Sequence, residues 1–162
     1  MKILITVHYS DSWADPGKQT KPVKWKNLDF STLKDSVYQY TKKIMTEINP
    51  EYIQIGNEIN SGLLWPEGKI NNPGQMKQLI SSGISAVRET NKSTAVIIHF
   101  AGIKSSDWFF SQISDLDYDI IGLSYYPIWH GKNLDTLKNT VIHLSDKFGK
   151  KIFIAETSYP FT

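Results

Sequence analysis

The sequence predicts an α/β protein: five parallel strands with intervening helices, forming part of a (β/α)8 barrel of the TIM-barrel type. Three observations predict it. Short apolar runs alternate with segments of helical periodicity five times along 162 residues. The runs are near-continuously apolar, as expected of parallel strands covered on both faces. Each run also ends on polar or aromatic side chains, which gathers chemistry on one edge of the sheet. Strand–helix alternation requires right-handed crossovers between parallel strands. An open doubly wound sheet would suit the length, since a whole barrel takes roughly 250 residues. The polar strand ends outweigh length and favour a partial barrel, forming one domain over residues 1–162.

Residues 3–8 are an apolar run too brief for a helix and form the first strand. A polar loop rich in Pro and Trp follows to about Leu28. Phe30, Leu33, Val37, Tyr40, Ile44 and Ile48 then recur at three- and four-residue steps, the stripe of a one-faced helix. Asn49-Pro50 stops it, because the residue before proline is pushed out of helical geometry. The second strand covers residues 52–58. Asn72-Pro73 opens a second helix with proline at its first position, and Met76, Leu79, Ile80, Ile84 and Val87 form its apolar face. Residues 95–100 are a strand, 106–114 a shorter helix and 119–125 a fourth strand. Leu134, Leu137, Val141, Leu144 and Phe148 mark a third long helix that Gly149 is suited to cap. A fifth strand covers residues 152–156.

Composition narrows the function classes. A formal net charge of +2, with basic residues clustered only in pairs such as Lys42-Lys43, gives no stripe for nucleic acid. No run approaches the ~20 apolar residues of a membrane span. Met1-Lys2-Ile3-Leu4-Ile5 is too short, and too soon interrupted by His8, to be a secretory signal. Cysteine is absent, which removes disulfides, thiolate metal sites and thiol nucleophiles. No nucleotide-binding glycine loop or Gly-x-Ser-x-Gly elbow follows any strand, and His8, His99, His130 and His143 lack metal-ligand spacing. No cofactor and no metal are expected, and His143 is read as a solvated helix residue.

The strand ends carry His8 with Asp11, Asn57-Glu58, His99, Ser124-Tyr125-Tyr126, and Glu156-Thr157. One strand ending in Glu is ordinary, since carboxylates readily cap the next helix. Five polar ends on one edge are harder to dismiss. Glu58 and Glu156 each follow an apolar strand, so both are expected at the mouth, where two carboxyls divide the labour of glycoside hydrolysis. Asn57 is placed to bind a sugar hydroxyl. His8 and His99 are placed to orient a carboxylate or bind sugar, with a buried structural role the competing reading for His99. Trp13, Trp25, Trp65 and Trp129 lie in loops on the same edge and offer flat faces to sugar rings. Rim packing is the competing reading, as strong as sugar contact for Trp25 and weaker for Trp65 and Trp129.

Four ordered motifs resemble a known family. His8-Tyr9-Ser10-Asp11-Ser12-Trp13-Ala14-Asp15-Pro16-Gly17, Gly56-Asn57-Glu58-Ile59-Asn60 with Gly62-Leu63-Leu64-Trp65-Pro66, Ile121-Gly122-Leu123-Ser124-Tyr125-Tyr126-Pro127 with Trp129-His130-Gly131, and Ala155-Glu156-Thr157 with Tyr159-Pro160 are similar to the third, fourth, sixth and seventh strand motifs of glycoside hydrolase family 53, the endo-β-1,4-galactanases. The resemblance implies a retaining hydrolase with Glu58 as acid/base and Glu156 as nucleophile. His8, Asp11, Trp13, Asn57, Trp65, His99, Tyr125, Tyr126 and Trp129 are expected to serve substrate binding, and either Tyr125 or Tyr126 to donate a hydrogen bond to the nucleophile. The implied partner is a polysaccharide, the β-1,4-galactan of type I arabinogalactan in pectin, and the implied workplace is extracellular. The chain matches about the third to the seventh strands only. The open sheet edges are therefore expected to invite self-association, and an inactive segment that at most binds sugar, or a retaining β-glycanase of other specificity, are the alternatives.

Overall fold

The computed structural model describes residues 1–158, so the expected Tyr159-Pro160 motif lies outside the described residues. One sheet holds five strands in the order β1 (Leu4–Val7), β2 (Tyr52–Ile55), β3 (Ala95–Ala101), β4 (Ile120–Ser124) and β5 (Lys151–Glu156). All four pairings are parallel, with Ile5 beside Ile53, Ile53 beside Val96, Ile98 beside Ile121, and Ile121 beside Ile152. The spatial order follows the chain order without reversal. A doubly wound sheet reverses at a switch point, so this is the topology of a partial barrel.

The crossovers are α1 (Phe30–Ile48), α2 (Pro73–Thr90), α3 (Ser106–Gln112), the short α4 (Pro127–His130) and α5 (Leu134–Phe148). Asp29 starts α1 by accepting the Thr32 amide at 3.0 Å, and left-handed Asn49 (φ 48°) ends it. Asn133 caps α5 in the same way, and Gly149 closes it at φ 63° as its sequence position predicts. The core lies between the sheet and the helix pair α1–α2. Met76, Leu79, Ile80, Ile84 and Val87 of α2 are all buried against it.

The stripe of α1 is divided rather than uniformly buried. Leu33 and Val37 enter the core with Thr41 and Met45, whereas Tyr40, Ile44 and Ile48 line an open cavity of about 1070 Å³ beside β1. Coverage of both strand faces likewise fails at the sheet edges, where Leu4 of β1 and Phe153 and Ile154 of β5 are exposed. β2 stops at Ile55, three residues earlier than periodicity suggests, because the backbone turns at Gly56. His143 is not merely solvated: its Nε2 lies 3.1 Å from Asp107 Oδ1, an oxygen shared with Lys147. Among the described residues no helix is long and apolar enough to cross a membrane.

Candidate active site

The site begins with the turn that ends β2. Gly56 has φ 81°, and a Cβ there would meet Ile59 Cγ2 at 2.6 Å, so this position has no room for a side chain. Glu58 is itself left-handed at φ 47° and ψ 53°. For a residue other than glycine that conformation costs ~1–3 kcal/mol and persists only where the surroundings enforce it. Gln19, buried in the loop after β1, is part of that enforcement. Its Nε2 donates to Asp15 O (3.0 Å), Asn57 O (2.8 Å) and Glu58 O (3.3 Å).

The turn carries the Glu58 carboxyl to a cleft of about 450 Å³ that it lines with Trp13, Pro16, Ala101, Tyr126, Trp129, His130 and Glu156. Burial, the largest influence, raises the Glu58 pKa; the Ser124 hydroxyl, donating to Oε1 at 2.6 Å, pulls it back, and the charges of Glu156 and Asp15 push it up again. Glu156 closes β5 just past an irregularity. Leu123 pairs with Ile154 but Ser124 pairs with Glu156, and the extra residue, Ala155, re-aims the strand end. Glu156 Oε2 accepts the Tyr126 hydroxyl at 2.7 Å. Burial and the Glu156 carboxylate push the Tyr126 pKa up to about 12, so its hydroxyl remains a donor. Two carboxyls thus share one cleft in unlike surroundings, the arrangement that lets one donate a proton while the other acts as a base or nucleophile.

The aromatic wall is built by Trp13 and Trp129, 65% and 73% exposed. Trp13 packs on His8 with ring centroids 4.7 Å apart, and His8 Nδ1 accepts the Ala14 amide at 3.1 Å, which fixes the loop. Burial lowers the His8 pKa, opposed by the nearby Glu156 charge. Trp129 meets Tyr126 edge-on at 5.0 Å. Its helix α4, not foreseen from periodicity, is held by His130 Nδ1 accepting the Tyr126 amide at 2.9 Å.

Other expected contacts lie elsewhere. Asn57 and His99 are fully buried and absent from the cleft lining: Asn57 Nδ2 donates to Ala14 O, and His99 Nδ1 lies within 3.1 Å of Gln54 Nε2 and Asn57 Oδ1, so both support the turn. Tyr125 is buried, and its hydroxyl donates to Gly131 O, not to Glu156. Asp11 accepts the Val23 amide at 2.7 Å on the rim of the larger cavity beside β1, where Trp25 packs with Tyr9 and Tyr40. Trp65 is a loop anchor: its Nε1 donates to Ser61 O at 3.1 Å and Lys69 Nζ covers its ring at 5.1 Å. Sequence reading missed Gln19 and Gln54 as parts of the site, and it placed Ser124 at the polar strand end without assigning it a role. A glutamine inside the apolar run Ile53-Gln54-Ile55 was the signal, since a buried strand excludes polar side chains unless they have partners.

Comparison with known proteins identifies the family. The model of glycosyl hydrolase family 53 matches residues 1–162. An endo-beta-1,4-galactanase of Bacillus subtilis is 38% identical over 100% of this chain and 39% of its own length. An arabinogalactan endo-beta-1,4-galactanase of Cellvibrio japonicus is 36% identical over 100% of this chain and 48% of its own. The solved GH53 catalytic domain of Ignisphaera aggregans superposes with a TM-score of 0.93 at 42% identity, covering 99% of this chain and 47% of that one. The chain therefore spans about half the length of the relatives it matches. With fold, ordered strand-end motifs and similarity over the whole of this chain in agreement, the chain belongs to glycosyl hydrolase family 53.

Proposed function

We propose that this chain carries the catalytic pair of a retaining endo-β-1,4-galactanase acting on the galactan backbone of type I arabinogalactan. The observation that carries the reading is the contrast between Glu58 and Glu156 in one cleft: burial favours the protonated form of Glu58, while Tyr126 donates to Glu156. The galactanase names of the relatives support the substrate.

In the first step the Glu58 proton passes to the glycosidic oxygen as that bond breaks, and a Glu156 oxygen bonds to the anomeric carbon from the opposite face. The released chain end leaves with the proton. In the second step ionised Glu58 takes a proton from water, whose oxygen displaces Glu156 and restores the original configuration. Trp13 and Trp129, exposed in the cleft that holds both carboxyls, offer stacking faces to the sugars of the substrate. The endo-galactanase names of those relatives support internal cleavage. A polymeric substrate also suits an extracellular workplace.

Reducing-end release from β-1,4-galactan, compared with cellulose, mannan and xylan, tests the reading. Release from galactan alone is the expected result. Release from another polymer would move the specificity, and galactan binding without release would reduce the chain to a sugar-binding segment.

A further inference from the structure

We infer that His99, acting through Ser124, selects which oxygen of Glu58 carries the acid proton: Oε1 is held as an acceptor, so the proton sits on Oε2, the oxygen free to meet the substrate. This deepens the proposed function and rests on Glu58 as its acid/base.

The geometry defines a hydrogen-bond chain with one favoured direction. His99 Nδ1 faces two donors, Gln54 Nε2 at 3.1 Å and the Glu58 backbone amide at 3.4 Å. Among the described residues that nitrogen is the acceptor for the Glu58 amide, and a buried amide left without one is costly. Nδ1 therefore presents its lone pair. Asn57 Oδ1, 3.0 Å from Nδ1, does not need a ring hydrogen, because it already accepts from Gln54 Nε2 at 3.0 Å. Burial, with a smaller push from His8, lowers the His99 pKa to about 4, so the ring is neutral near pH 7 and has one hydrogen to place. That hydrogen sits on Nε2 and goes to Ser124 Oγ at 2.8 Å. Ser124 then has its single hydroxyl hydrogen for Glu58 Oε1, at 2.6 Å.

A carboxyl whose Oε1 receives that hydrogen holds its own proton on Oε2. Oε2 makes no hydrogen bond among the described residues, and the carboxyl lines the cleft. The opposite tautomer gives the opposite result. With the ring hydrogen on Nδ1, Nε2 would accept from Ser124, Ser124 from Glu58, and the acid proton would be trapped on Oε1 against the protein. The other ionisable groups around this chain are Glu156 on β5, Asp15 in the loop after β1, His8 at the end of β1 and Tyr126 after β4, and none hydrogen-bonds Oε1. His99 and Ser124 are therefore positioning residues: they touch Glu58, not the sugar.

Nitrogen-15 NMR of the labelled full chain near pH 7 reads the His99 tautomer directly, and carbon-13 NMR of its glutamate carboxyls reads Glu58, identified by its loss in Glu58→Gln. The expected result is a protonated Nε2 and a bare Nδ1. In folded Ser124→Ala, loss of a hydrogen bond to the ionised form should shift the Glu58 protonation equilibrium roughly tenfold toward the acid. A ring protonated on Nδ1, or an unmoved Glu58 titration in folded Ser124→Ala, would overturn the inference; should Ser124→Ala fail to fold, the wild-type tautomer still decides. Neither measurement needs turnover. A chain with the expected tautomer that releases nothing from galactan would overturn the proposed function alone, and a galactan-cleaving chain with the Nδ1 tautomer would overturn this inference alone.

Discussion

The Tyr126 hydroxyl donates to Glu156 Oε2 across 2.7 Å, tying the loop after β4 to the end of β5. Tyr125, one residue earlier, sends its hydroxyl to Gly131 O instead. Two adjacent tyrosines therefore differ in what they hold: one holds a carboxylate at the cleft, the other holds the loop that carries α4. A hydrogen bond to an ionised acceptor contributes ~1.5–3 kcal/mol, more than one between neutral partners.

Tyr126→Phe is expected to lower galactan turnover by about tenfold or more with little change in melting temperature, because the lost bond serves the half-exposed Glu156. Tyr125→Phe is expected to do the reverse, lowering the melting temperature more than the rate. Paired kinetic and thermal measurements on the two variants check this. A Tyr125→Phe variant that loses rate while Tyr126→Phe does not would place the supporting hydroxyl wrongly.

The tryptophans should separate in the same way. Trp13→Ala and Trp129→Ala each remove an exposed face beside the carboxyls, and a loss of ~1 kcal/mol of stacking weakens galactan binding severalfold. Trp65→Ala removes an anchor bonded to Ser61 and covered by Lys69, so it should lower thermal stability and leave affinity unchanged. Affinity electrophoresis in galactan gels with parallel melting curves distinguishes the two behaviours; weaker binding by Trp65→Ala alone would reverse the assignment.

Acid should destabilise the fold through His99. Its pKa falls from 6.5 to about 4 on burial, so the unfolded chain binds more protons than the folded one between those values. Stability from this group is complete above pH 6.5 and is lost as pH falls through the window, by at most ~1.4 kcal/mol per pH unit. Glu58 acts in the opposite sense, because its raised pKa costs stability as pH rises. The clean comparison is therefore Glu58→Gln with and without His99→Gln, unfolded by urea at several pH values. The double variant should lose much of the acid slope, and an equal slope in both would show that His99 is not its source.

Much of the fold was legible because hydrophobic periodicity reports the side of an element that meets the core. The face of α2 read directly, since both the sheet and α1 cover it. The stripe of α1 did not, since Tyr40, Ile44 and Ile48 are apolar yet line an open cavity, and pattern alone cannot say what lies opposite. Within the site, Glu58 and Glu156 were legible as carboxylates after apolar strands. The side of Tyr126 was not, because it depends on the turn into α4, and Glu156 is aimed by the extra residue Ala155, which leaves no periodic trace. The role of Ser124 was hidden for a similar reason: its hydroxyl matters through Glu58, 66 residues away in the chain.

The most direct test of the account is the stereochemistry of azide rescue in Glu58→Ala and Glu156→Ala, using an aryl β-galactoside whose leaving group needs no proton. Without Glu156 no covalent intermediate forms, so azide should attack the substrate itself and give the inverted α-galactosyl azide. Without Glu58 the intermediate still forms on Glu156, and azide should displace it to give the retained β-galactosyl azide. The account predicts inversion for Glu156→Ala and retention for Glu58→Ala; the exchanged pair of products would contradict it.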